Sequence, residues 1–156
     1  MFKIPAPNYS NVIVQIVKRL KEDKRLSDVE DDSIVEGGNL PRVVRWPAIT
    51  VLLERVDKEW RSFGGAHHGL KTAHCTVKLN VFDRVESGSA GYVKGLQSVE
   101  GIVQSVDDIF QSDMSISGVS YKSETTPVIF NLGTYDNTPV IGAEVELVTS
   151  IGYARS

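Results

Sequence analysis

Residues 72–81, TAHCTVKLNV, alternate between apolar and polar side chains. Neighbouring side chains of an extended chain point to opposite faces, so this period of two indicates a β-strand with one face on a core. The apolar face would carry Cys75, Val77, Leu79 and Val81, and the polar face His74, Thr76, Lys78 and Asn80. Such a strand has to be covered on its apolar face, and the sequence on both sides of it predicts the covering elements.

The predicted covering elements are two amphipathic helices, one before and one after this strand. Residues 9–24 repeat apolar side chains with the helical period of about 3.6, and Asn8 or Ser10 can cap the first turn. Residues 90–111 keep the same period over a longer run, and Ser87 or Ser89 can cap its start. The helix residues predicted to lie in the core are Ile16, Leu20, Leu96, Val99, Val103 and Val106.

Four further strands are predicted from short apolar or alternating runs. They lie near residues 34–35, at 46–53, at 119–129 with an interruption at Pro127, and at 140–153, with a turn at 131–138. The order of elements is then α-β-β-β-α-β-β. This order predicts an α+β fold, in which two amphipathic helices pack on an antiparallel or mixed β-sheet within a single domain, residues 1–156.

Composition narrows the classes of function. The chain has 156 residues, a natural length for one domain, and a formal net charge of −3, which argues against a surface that coats nucleic acid. Its single cysteine cannot form an internal disulfide. No apolar run approaches the roughly 20 residues of a membrane helix. We therefore expect a protein that is assembled in the cytosol and has no membrane partner.

Every histidine and the cysteine lie in one stretch, residues 64–75, GGAHHGLKTAHC. A zinc site needs three or four ligands that converge on one point, but adjacent strand residues such as His74 and Cys75 point to opposite faces. His74 begins a His-x-Thr-apolar motif of the kind used by two-histidine phosphoesterases, yet neither His67 nor His68 begins the second copy that these enzymes need. The sequence therefore predicts no metal site, no cofactor and no catalytic residues.

The order of elements resembles the tail terminator proteins of long-tailed bacteriophages. The resemblance covers residues 10–153: an amphipathic helix, an acidic stretch, a strand opened by Trp46-Pro47-Ala48-Ile49, a polar loop, an alternating strand, a long helix and a closing hairpin. The strand at residues 76–82, TVKLNVF, followed by the helix at 90–110 adds to it.

The resemblance implies a structural role without catalysis, in the tail or neck of the virion. Such proteins form a ring, usually a hexamer, that caps the finished tail tube, ends its polymerisation and helps to join the tail to the head. The expected partners are further copies of the chain, the tail tube protein and a neck or head-completion protein. DNA would pass through the lumen of the ring without specific binding.

Two segments are candidates for contacts between copies: the closing hairpin and the polar loop predicted at residues 57–70. The loop contains Trp60 and Phe63, and aromatic residues are favoured as interface anchors, although both could fold back onto the domain's own core. The basic residues around this pair could face the lumen of the ring or serve solubility alone; they are Lys58, Arg61 and Lys71.

Two alternatives to a tail terminator stay open on the sequence. Within the same class, the chain could be a neck or head-completion protein or a tail-tube subunit, because these share parts of the fold. From a different class, it could be a small α+β ligand-binding domain or enzyme. Size in solution separates the classes, because a ring-forming protein associates and a ligand-binding domain has no need to.

Overall fold

The structure is a computed structural model, which describes residues 8–37, 45–60, 70–116, 122–125 and 129–154. Helix α1 spans Tyr9–Glu22 and helix α2 spans Ser89–Ser112. The strands are β1 (Ile34–Glu36), β2 (Ala48–Trp60), β3 (Leu70–Arg84), β4 (Lys122–Thr125), β5 (Ile129–Tyr135) and β6 (Thr138–Ala154). The predicted α+β class is confirmed, but the order is α-β-β-β-α-β-β-β, with one more strand after α2 than predicted.

All six strands belong to one mixed sheet, in which β1, β2, β3 and β6 are neighbours in that order. β1 is parallel to β2, and every other pair is antiparallel. β6 pairs with β3 along one side, while on its other side β5 pairs with its first part and β4 with its second part. β1 and β5 therefore lie at opposite ends of the sheet.

The start of α1 matches the prediction, and its end differs from it. The side chain of Asn8 caps the helix and accepts a hydrogen bond from the backbone N–H of Asn11 at 3.0 Å. The predicted end at residue 24 is two residues too late, because Asp23 takes an extended conformation and caps a short 3-10 turn at Lys24–Leu26. The side chains that α1 buries are Val12, Ile16, Val17 and Leu20.

The predicted cap of α2, Ser87 or Ser89, is wrong. The capping position is Gly88, which has a φ of 91° and, as a glycine, has no side chain that could cap the helix. Glycine adopts this left-handed region without the steric cost that a side chain would incur. The chain uses that freedom to turn sharply from β3 into the helix.

The buried face of α2 differs from the predicted one, because the first turns of the helix bury glycines. A Cβ on Gly91 would lie 2.1 Å from the carbonyl oxygen of Glu86, so only glycine fits at this approach. The two glycines, Gly91 and Gly95, are buried, while Tyr92 is 40% exposed. Of the predicted core residues, Ile16, Leu20, Val99 and Val106 are fully buried, and Leu96 and Val103 pack half-buried at the margin.

The hairpin between β2 and β3 is longer than predicted. The strand predicted at residues 46–53 begins at Ala48 and continues to Trp60, with a register shift between Leu53 and Arg55. The predicted loop at 57–70 is therefore wrong at both ends, because residues 57–60 belong to β2 and Leu70 begins β3. Ladder pairing with β3 keeps this polar segment extended, which its composition alone does not indicate.

The region between α2 and β6 also differs from the prediction. Of the single strand predicted at 119–129, the described residues belong to two strands, since 122–125 form β4 and Ile129 begins β5. The remaining residues of that prediction, 119–121 and 126–128, lie outside the described residues. The predicted turn at 131–138 shrinks to Asp136 and Asn137, whose φ angles are 48° and 64°. Two consecutive positive φ angles are typical of a tight two-residue hairpin turn. Because the turn is this short, residues 131–135 of the predicted turn belong to β5.

The core lies between the two helices and one face of the sheet. α1 packs on β1 and β2, while α2 packs on β3, β6 and β4. The apolar face predicted for the central strand is confirmed, because Cys75, Val77, Leu79 and Val81 are all fully buried. Within the described residues, neither helix has the length and apolar character needed to cross a membrane.

Candidate functional site

The residues of the predicted interface loop are placed only in part. Lys58 is an exposed residue of β2 opposite Ala73, and Trp60 is paired with Lys71 across β2 and β3. Arg61 and Phe63 lie outside the described residues. The strands therefore bring Trp60 and Lys71 to the same end of the hairpin, and the role of the five residues as an interface stays a prediction.

The histidine-rich stretch separates over the two faces of β3. Cys75 is fully buried under the helices, and burial raises the pKa of its thiol, as expected for an unreactive core cysteine. His74 is half-buried on the other face. His67 and His68 fall outside the described residues, and within the described ranges no three His, Cys, Asp or Glu side chains come together as metal ligands.

The strand register brings Asp57, His74 and Ser150 into one row across β2, β3 and β6. The distance between His74 Nδ1 and Ser150 Oγ is 2.8 Å. Local sequence patterns do not predict this pair, because its members lie 76 residues apart and only the register of β3 and β6 brings them together. A serine, a histidine and an aspartate in one row raise the question of a nucleophile.

The surroundings of this row suit a cross-strand link better than a nucleophile. A reactive serine needs access for its substrate and hydrogen-bond donors for the oxyanion. Ser150 is only 6% exposed and sits within the sheet between His74 and Lys122. The carboxylate of Asp57 accepts a hydrogen bond from Arg55 Nε at 2.9 Å. The hydrogen bond between His74 and Ser150 thus joins β3 to β6 on the polar face.

A second link across the same face is made by Lys78. Its ammonium lies 2.9 Å from Glu144 on β6 and 3.6 Å from Glu54 on β2. The hydrogen bond to Glu144 raises the pKa of Lys78, because it stabilises the charged form. The polar face of the central strands is therefore occupied largely by contacts within the chain.

The edge strand β5 is the most exposed apolar element among the described residues. Its seven residues, IFNLGTY, include no charged side chain and no proline. Phe130 is 43% exposed and Leu132 is 67% exposed. Both lie on the helix-bearing face, because their register partners, Ala143 and Ile141, belong to the core.

The outer edge of β5 also carries backbone N–H and C=O groups that can pair with another strand. In the part of the chain that the structure describes, β5 pairs only with β6, and no strand lies on its other side. Natural edge strands are normally protected by lysine, proline or a bulge, since an open edge is a template for another strand. β5 has none of these devices. It is the surface most suited to binding a further strand. It belongs to the closing hairpin that the sequence predicts as a contact between copies, although most of β5 falls in the predicted turn at 131–138.

A cavity beside α2 is the second surface of interest. It measures about 350 Å³ and lies between the 3-10 turn after α1 and the outer side of α2. Its polar lining includes Arg25, Asp28, Gln97 and Ser105. The volume falls within the range of about 300–1,000 Å³ in which small ligands bind, although such sites are mostly lined by apolar side chains.

No known family model matches this sequence, and no curated protein is significantly similar to it. Within the described residues, the edge of β5 and the cavity beside α2 are surfaces at which a partner or a ligand can bind.

Proposed function

We propose that this protein is a structural protein of the virion that closes into a ring, caps the tail tube of a long-tailed bacteriophage and ends its polymerisation. The observation that carries the proposal is the edge of β5, where Phe130 and Leu132 are exposed and where no other described strand pairs with the outer side. The order of the elements up to the closing hairpin supports it, since this order resembles tail terminator proteins.

An open strand edge favours association over a solitary domain. Backbone N–H and C=O groups along such an edge bind best to another strand, and exposed apolar side chains beside it add buried area when a partner docks. A ring needs contacts in which two different surfaces meet head to tail and close after a fixed number of copies. In this proposal, a hexameric ring joins the tail tube protein on one side and a neck or head-completion protein on the other, and DNA passes through its lumen.

The proposal is tested by complementation of a phage that lacks this protein. We expect that phage to accumulate heads without joined tails and tails of abnormal length, and the unmodified protein to restore both. Leu132→Asp should fail to restore them, because a carboxylate would be buried without a partner at the contact between copies. Loss of one such anchor typically costs about 2 kcal/mol or more, roughly a thirtyfold loss in association.

The matched control is Met114→Asp, which places the same charge on another apolar residue that is 50% exposed, just beyond α2. This variant should restore the phage. Equal thermal unfolding of the two variants shows that neither fails by misfolding. Restoration by Leu132→Asp, or normal tails in the complete absence of the protein, would contradict the proposal.

A ligand-binding domain is the second candidate, and the cavity beside α2 favours it. In that case Gln97→Leu together with Ser105→Leu should abolish binding of a small polar ligand and leave the size in solution unchanged.

A tail-tube or neck protein would also associate through β5. It differs from a terminator in the phenotype of the phage that lacks it. A phage that lacks its tube subunit forms no tails, whereas a phage that lacks its terminator forms tails of the wrong length.

A further inference from the structure

We propose that neighbouring copies join edge to edge, with the outer side of β5 in one copy pairing antiparallel with the outer side of β1 in the next. The sheet then continues from copy to copy around the ring. This inference rests on the proposed ring, and it names the two surfaces that meet.

The sheet offers two ends for such a joint. Among the described residues, β1 has a strand only on its β2 side, and β5 has one only on its β6 side. Joining β5 to β1 uses both ends once in every copy. The contact is therefore heterologous, and after the ring closes β1 and β5 each have a partner strand on both sides, while β4 stays outside the joint.

Strand direction favours this joint. β1, β2 and β6 run in one direction, while β3, β4 and β5 run in the other. If the next copy continues the sheet with its helices on the same side, its β1 lies beside β5 and runs opposite to it. The joint is therefore antiparallel, which is the slightly more stable pairing for each residue.

The helix-bearing face is covered by the same arrangement. α1 packs on β1 and β2 of its own chain, so α1 of the next copy arrives beside β5 together with β1. Phe130 and Leu132 lie on this face, and α2 of their own copy packs chiefly on β3, β6 and β4. The incoming helix can therefore bury the two exposed side chains.

Charge argues against joining two like ends at β1. Exposed acidic residues surround β1, with Asp31 and Asp32 in the preceding 3-10 turn and Glu36 in the strand itself. Two β1 edges placed together would oppose these carboxylates, and like charges facing each other across a sheet are destabilising. β5 has no charge, so it accepts the acidic edge without repulsion.

Two β5 edges could also pair by a two-fold axis, but this contact would stop at a dimer and leave β1 unused. Cross-linking separates the two arrangements. The only native cysteine, Cys75, is fully buried and contributes no background. Thr134→Cys and Glu36→Cys place exposed thiols on β5 and β1, and both positions lie on the helix-bearing face, opposite Pro139 and Val51.

A short bismaleimide is added to the native protein, and the products are separated after denaturation. We expect a ladder of covalent oligomers up to the order of the ring when both substitutions are in one chain. An equal mixture of the two single variants should give covalent dimers and nothing larger. Each single variant alone should give no covalent oligomer. The control pair, Glu36→Cys with Met114→Cys, should give no ladder.

The outcomes separate this inference from the ring itself. Dimers formed by Thr134→Cys alone would overturn the joint in favour of two-fold pairing. An intact ring by native mass in which the double variant is not cross-linked would also overturn the joint, while the proposed ring would stand. A double variant and an unmodified protein that are both monomeric would overturn the joint and the ring together.

Discussion

At the scale of single residues, Arg19 bridges the C-terminal ends of the two helices by donating hydrogen bonds to Asp23 and Asp113, and Asp23 fixes that arginine. Its carboxylate accepts hydrogen bonds from Arg19 Nη1 at 2.8 Å and from Arg25 Nε at 2.9 Å. Arg19 also donates to Asp113, directly after α2, at 3.1 Å. Hydrogen bonds from Arg25 hold the pKa of Asp23 well below its usual range, although burial opposes part of this effect.

Asp23→Asn should lower the free energy of unfolding at pH 7 by about 1–3 kcal/mol, since hydrogen bonds to a charged group are lost. A lowered pKa in the folded state stabilises the protein fully above the unfolded pKa of about 3.9, and this contribution fades as the pH falls further. The difference between the variant and the unmodified protein should therefore be constant from pH 7 to 5 and shrink below about pH 4.

Urea unfolding at a series of pH values measures this difference. Asp31→Asn, the same change at an exposed acidic residue of the nearby 3-10 turn, serves as the control and should cost less than about 0.5 kcal/mol. A difference for Asp23→Asn that stays the same down to pH 2 would show that the carboxylate's charge does not stabilise the fold.

The sequence allows part of this residue-scale detail to be predicted. Alternation along β3 correctly separates His74 from Cys75, because side-chain direction in a strand is a local property. The contact between Arg19 and Asp113 could not be foreseen, since 94 residues separate them and only the packing of α1 and α2 brings them together. The same applies to His74 and Ser150, whose contact depends on strand register.

At the scale of secondary-structure elements, α2 shows how packing can shift a helix from the face that its apolar residues predict. The period of 3.6 correctly predicts a long helix and a core at Val99 and Val106. It also places Leu96 in the core, where the structure leaves it half-buried. Gly95 allows the backbone to approach Arg84 and Ile141 of the sheet, and Gly91 allows it to approach Glu86 in the preceding connection. A scale of hydrophobicity gives glycine too little weight to reveal this.

Ile109→Ala and Leu96→Ala test the observed face of α2 with side chains of equal volume. Ile109 is fully buried, so its truncation should cost about 2–5 kcal/mol. Leu96 is half-buried and should cost clearly less, about 1–2 kcal/mol, because less apolar area is lost from the core. Equal or reversed losses in urea unfolding would show that the helix faces the sheet as its apolar period predicts.

β5 is the element that local sequence patterns do not predict, and the reason is chemical. Asn131, Gly133 and Thr134 are frequent in turns, so their local preference obscures the alternation of Phe130 with Leu132. The stronger signal is the pair Asp136 and Asn137, which tolerate positive φ and fit a two-residue hairpin turn. If that pair alone forms the turn, the strand before it, β5, extends to Tyr135.

At the scale of the whole molecule, the α+β class follows from the sequence, while the surfaces do not. Periodicity predicts the two helices and most of the strands, because it reports which face of each element is buried. The ends of the sheet depend on strand order, which local patterns do not contain. The closing hairpin is a predicted contact between copies, but that its strand β5 and the distant β1 form the two ends of the sheet follows only from the strand order.

The mass of the native assembly tests the central claim, ring formation, most directly. Native mass spectrometry and sedimentation at increasing concentration should give one closed species at a fixed multiple of the 17.2 kDa chain, with no larger aggregates, because a heterologous contact that closes leaves no free end. The resemblance to tail terminators predicts six copies. A monomer of 17.2 kDa at high concentration that also fails to bind purified tail-tube ends would contradict the account.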